Sequence, residues 1–124
     1  MFSERIVVKY RKSLVKNFGK EGINMVKHVI LWQLKEGLSS EDKQKVCLEM
    51  KEQLEALVGK VPGLLELKIV INEMESSNAD VMLDSLLESP EALKEYQSHP
   101  DHVAVANGYV RPYTQVRMCI DYEI

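Results

Sequence analysis

Val26 to Leu34 (VKHVILWQL) constrains this chain more than any other stretch, because it is apolar on both of its alternating faces. His28, Ile30, Trp32 and Leu34 fall on one side, Val29 and Leu31 on the other. A strand with one wet face alternates apolar and polar residues; one that reads this way is covered on both sides. Whatever fold the chain adopts has to cover two faces of this strand.

The segments that follow show what covers the first face. Gly37-Leu38-Ser39-Ser40 breaks the strand, and Ser39 with Asp42 three residues on resembles a capping box built with the shorter acid. The spacing predicts a helix from about Glu41 to Val58, with Val46, Cys47, Met50, Leu54, Leu57, Val58 and Val61 facing a sheet. Gly59 and Pro62-Gly63 end it. A second strand is expected from Leu64 to about Met74, with Leu65, Leu67, Ile69 and Ile71 on one face. The polar loop Glu75–Ala79 leads to a third strand, Asp80 to Leu87, again apolar on both faces. Ser89-Pro90 opens a second helix, with Ser89 as cap and Pro90 at the first helical position. That helix is interrupted at His99-Pro100, restarts near Asp101, and ends at Arg111-Pro112. A last strand covers Gln115 to Tyr122, with Val116, Met118, Ile120 and Tyr122 on one face.

The order β-α-β-β-α-β is the split βαβ of ferredoxin-like α+β folds, with a four-stranded antiparallel sheet. Two helices cover one sheet face and leave the other bare, although its strands carry apolar side chains there too. A large bare apolar sheet is not stable alone. The remedy this predicts is a homodimer through the open face, with two sheets packing together and closing toward an α/β barrel.

Composition narrows the function. At 124 residues with a net charge of −3, the chain is one domain without a basic footprint for nucleic acid. No apolar run approaches the roughly 20 residues that span a bilayer, so no membrane role is expected. Cys47 and Cys119 sit in no metal-ligand spacing and read as two buried, reduced thiols of a cytoplasmic protein. The charge is unevenly spread. Residues 1–24 carry six basic and two acidic residues, whereas residues 25–124 carry ten basic and seventeen acidic. Three readings of this basic N-terminal extension stay open: an amphipathic surface helix, a targeting presequence, or translated sequence upstream of a natural start at Met25. Lys20-Glu21-Gly22 favours the last, since its codons can contain a bacterial ribosome-binding sequence. The domain is expected over 25–124.

Chemistry concentrates in Tyr96-Gln97-Ser98-His99-Pro100-Asp101-His102, which holds two of the three histidines. Histidine exchanges protons near neutral pH. His102, near the start of the restarted helix, is the best candidate base, with a packing or capping role as the alternative. Tyr96 could donate its hydroxyl to a developing oxyanion. His28 is either a catalytic pocket group that steadies an enolate together with Tyr96 or a core histidine. His99, before the proline, reads as a joint between helical segments, and it is grouped with Trp32 as pocket or structural. His99 and His102 lack a third ligand fixed by spacing, so no metal is expected. No phosphate-binding loop, dinucleotide fingerprint or nucleophile elbow appears, so no cofactor is expected.

Met25-Val26-Lys27-His28-Val29-Ile30-Leu31-Trp32, the helix exit Val61-Pro62-Gly63-Leu64, and Tyr96-x-x-His99-Pro100-x-His102-Val103 together resemble the stress-responsive dimeric α/β-barrel (Dabb) domain family. The resemblance spans Met25 to about Tyr122. It implies a ferredoxin-like homodimer whose sheets form a barrel. It also implies a small apolar or carbonyl-containing ligand between sheet and helices, with unsettled activity. Plant members similar in these motifs include polyketide cyclases, so the alternative is a lyase or cyclase. In those enzymes the residues matching His102, His28 and Tyr96 line the pocket, and the one matching His102 is the general base. A purely structural dimer in stress survival is the third reading.

Overall fold

Residues 24–124 are described by a computed structural model, and the readings of the basic extension fall on residues outside them. Strand β1 (Val26–Leu34) is followed by helix α1 (Ser40–Glu55), strands β2 (Leu64–Ile71) and β3 (Val81–Leu87), helices α2 (Pro90–Ser98) and α3 (Pro100–Val105), and strand β4 (Thr114–Glu123). The strands form one antiparallel sheet in the order β2-β3-β1-β4. This is the ferredoxin-like arrangement expected from the order of segments. The helices cover one sheet face, and the core between them is built on Ile30, Leu34, Met50, Leu54, Ile69, Leu83 and Leu87.

The helix starts follow the capping residues. Ser39 Oγ accepts the Asp42 N–H at 3.1 Å, and Ser89 Oγ accepts the Ala92 N–H at 3.0 Å. Each satisfies a backbone donor that the helix itself leaves unpaired. α1 is shorter than expected. It ends at Glu55, and the chain tightens through Leu57 N–H to Leu54 O and Val58 N–H to Glu55 O before Gly59, whose φ of +90° closes the turn. Leu57 and Val61 still reach the core, but Val58 points outward and is exposed.

β2 corrects the sequence reading in two ways. It ends at Ile71 rather than near Met74, and it holds a bulge at Leu65, since Leu64 pairs with Leu87 while Glu66 pairs with Leu86. The extra residue shifts the alternation by one, so Leu64 and Leu67 are buried and Leu65 is only half-buried. Glu55 ties α1 to this strand, its carboxylate accepting the Ile69 N–H at 2.9 Å and the Lys51 ammonium at 2.8 Å.

The sheet register places Val116, Met118, Ile120 and Tyr122 of β4 beside Gln33, Leu31, Val29 and Lys27 of β1, on the face turned away from the helices. Met118 and Ile120 are 66% and 62% exposed, and Leu31, Val70, Val116 and Tyr122 are exposed as well. An ion pair, Lys27–Asp84, lies on the same face. Among the described residues no helix is long and apolar enough to cross a membrane.

Candidate functional site

The break between α2 and α3 sets the site. His99 is extended (φ −63°, ψ 133°), as a residue before proline prefers, and its ring Nδ1 accepts the Asp101 N–H at 3.1 Å. His99 therefore caps α3 with its own side chain, and its ring is not on the cavity wall described below. After Val105 the helix widens into a π-type turn over Ala106–Val110, and then tightens into a 3₁₀ turn over Arg111–Tyr113. Such widened turns recur at functional sites.

Between this irregular stretch and the sheet lies a cavity of about 360 Å³. Ile30, Trp32, Leu54, Leu83 and Val110 form its apolar wall, and Tyr96, Gln97, His102, Arg111 and Arg117 bring polar groups to it. The rings of Tyr96 and His102 are 4.3 Å apart between centroids. Tyr96 is 1% exposed, and its hydroxyl is buried without a hydrogen-bond partner. An orphaned buried hydroxyl is costly and uncommon. Burial pushes the Tyr96 pKa up, opposed weakly by Arg117, so the hydroxyl stays a donor. Burial also lowers the His102 pKa; the Gln97 carbonyl acts against this, while His28, Arg111 and Arg117 add to the lowering by charge. His102 Nδ1 lies 3.2 Å from the Gln97 carbonyl oxygen. A carbonyl only accepts, so Nδ1 carries the proton and Nε2 holds the free lone pair.

His28 stands behind this pair. Its ring is 6.0 Å from that of Tyr96, edge-on, and it does not line the cavity. It is 1% exposed, and Nδ1 sits 2.5 Å from Asp121 Oδ1. Ser85 Oγ donates to the His28 carbonyl at 2.7 Å. Cys119 is exposed rather than buried as expected; its Sγ donates to the same Asp121 oxygen at 3.4 Å, and partial desolvation followed by Asp121 raises the thiol pKa. His28, Cys119 and Asp121 are the group of side chains among the described residues whose donor atoms lie close enough to share a cation.

The structure thus brings Tyr96, His102 and Trp32 to one cavity, sets His28 one layer back, and leaves His99 at the helix joint. The reading from sequence missed Asp121, Arg111 and Arg117. A signal was present: β4 alternates Arg117-Cys119-Asp121 against Val116-Met118-Ile120, so the face turned toward the helices is the polar one.

The stress responsive A/B barrel domain model matches residues 26–124. The chain belongs to this family. A search of curated proteins returns no match. A dimeric protein of unknown function and ferredoxin-like fold from Bacteroides fragilis is similar to this Dabb domain at 30% identity and TM-score 0.76, over 81% of this chain and 96% of that one. A protein from Arabidopsis thaliana is similar at 26% identity and TM-score 0.64, covering 80% of this chain and 94% of its own. The hydroxynitrile lyase from Passiflora edulis shares the fold at 17% identity and TM-score 0.67, over 81% and 93%.

Proposed function

We propose that this Dabb domain binds a small carbonyl compound in the cavity and that His102 takes a proton from the carbon beside the carbonyl, in a reaction of lyase or cyclase type. The observation that carries the reading is the buried, unpartnered Tyr96 hydroxyl next to the neutral His102 ring, across from the apolar side chains of Ile30, Leu54 and Leu83. The Tyr96 hydroxyl is fully buried, so it meets the acceptor it lacks, a carbonyl oxygen of the ligand, when its ring turns toward the cavity that Tyr96 lines. As Nε2 of His102 accepts the α-proton, the C–H pair becomes the enolate π-bond and the oxygen gains charge, which the Tyr96 O–H meets. The enolate then attacks a second carbonyl or is reprotonated, and the His102 imidazolium returns the proton. His28, held by Asp121, supports Tyr96 from behind. Binding without turnover is the lesser claim contained in this one.

A second copy covering the open sheet face belongs to the same reading. The exposed Leu31, Met118 and Ile120 favour it, as does the dimeric state of the similar Bacteroides fragilis protein. Two unpaired thiols, Cys47 and Cys119, fit a cytoplasmic location.

The binding claim is tested by titrating the chain with methyl hexyl ketone and following the Tyr96 and His102 ring resonances by NMR. Saturable shifts of both are expected; shifts confined to surface residues contradict the reading.

A further inference from the structure

We infer that the cavity is built for an anionic ligand, a carboxylate on a short apolar body, held by Arg111 and Arg117. The inference rests on the cavity being the ligand site proposed above and names the substrate class. Its first support is a charge reversal. Residues 25–124 carry seventeen acidic against ten basic residues, yet the cavity wall holds two guanidinium groups and no carboxylate. Random sampling of this surface would place acids there first.

The second support is that neither charge is used up. Among the described residues Lys27 pairs with Asp84, Lys51 with Glu55, and His28 lies against Asp121; neither arginine takes part in these contacts. Arg111 donates to the neutral Asn107 Oδ1 at 2.5 Å, which fixes its head while leaving further N–H groups free. Arg117 comes from β4, opposite Trp32 of β1, and reaches the neutral Cys119 thiol. Both guanidinium groups bear on His102, and Arg117 also on Tyr96, so their field acts on the reacting groups themselves. Both guanidinium groups are solvent-exposed at the rim of the cavity, so they are free to turn toward an entering anion. A guanidinium matches a carboxylate with two parallel hydrogen bonds, where an ammonium would offer a point charge. The volume, about 360 Å³, is near the lower end of the ~300–1,000 Å³ range of small-molecule sites. It suits a short-chain acid, with Ile30, Leu54, Leu83 and Val110 around its tail.

The test is calorimetric titration of the full chain with octanoate, octanamide and inorganic phosphate. Octanoate is expected to bind at least about tenfold more tightly than octanamide, the effect of one charge-assisted contact. Arg117→Gln and Arg111→Gln should each remove about that factor for octanoate and cost octanamide much less, with circular dichroism reporting that the fold is intact. Added salt should weaken octanoate alone. Equal affinity for acid and amide, no binding of either, octanoate binding unmoved by both substitutions, or phosphate bound as tightly as octanoate would each overturn the inference. Methyl hexyl ketone separates the two claims. If it still shifts Tyr96 and His102 while octanoate shows no preference, the carboxylate site falls and the carbonyl site stands.

Discussion

His102 can act as a base because of its surroundings. Burial and nearby positive charge hold its pKa below the ordinary histidine value, and the Gln97 carbonyl fixes the proton on Nδ1. The sign has two consequences. The neutral, basic form persists to lower pH than in a free histidine, so the acid limb of kcat/KM for a neutral ketone should fall below about pH 6.5. A limb at or above that value would assign the base elsewhere. For stability, the unfolded chain takes up this proton at higher pH than the folded one. The contribution from keeping His102 neutral is therefore complete above the ordinary histidine pKa and lost as pH falls through the window below it. Tyr96 makes a sharper prediction. Tyr96→Phe removes a buried hydroxyl with no partner, so thermal unfolding should show the variant unchanged or more stable by about 1 kcal/mol. Its proton-transfer activity should nevertheless drop. A large loss of stability would make the hydroxyl structural. At this scale the Tyr96–His102 motif was legible because its residue types are rare in this chain. Arg117 and Asp121 were legible only as a polar alternation on β4, since a polar residue on an edge strand looks the same whether it faces solvent or a cavity.

Elements place these groups. α2 carries Tyr96 and α3 carries His102, and the His99 joint between them sets the 4.3 Å ring separation. His99→Ala should lose the cap on Asp101 and cost about 1 kcal/mol in urea unfolding, whereas His99→Asn, which keeps a side-chain acceptor, should recover most of it. Equal losses for the two would remove the capping role. α2 also approaches β2 closely at Gly63, where φ is +82° and an added Cβ would lie 2.7 Å from the Ala92 Cβ. Gly63→Ala should therefore cost about 1–3 kcal/mol through strain and overlap, and should push α2 away from the sheet. The bounds of β1 and both helix starts were legible, because capping chemistry and the doubly apolar pattern are local. The bulge at Leu65 was not, because one inserted residue flips a strand's faces without changing its composition. The end of α1 was overread because Leu57 and Val61 continue the apolar stripe after the backbone has left the helix.

The whole molecule has two apolar surfaces to satisfy, as β1 required. Helices cover one; on the other, Leu31, Met118 and Ile120 remain exposed. Met118→Asp together with Ile120→Asp should convert a sedimenting dimer into a monomer without removing the four-stranded sheet, and a wild type that sediments as a monomer at micromolar concentration would contradict the pairing. The fold and the need for a second layer were legible because burial patterns are global properties of the sequence. A pocket between sheet and helices was expected from the family resemblance, but its size was not legible, since the volume depends on how the turn over Ala106–Val110 sits above the sheet. The central claim is proton transfer by His102, and exchange of the α-protons of methyl hexyl ketone in D₂O, followed by NMR, tests it most directly. Exchange accelerated by the wild type and slowed by about 10²–10⁴-fold in a folded His102→Ala variant is the predicted result; exchange no faster than in buffer, or equal in the two proteins, would contradict it.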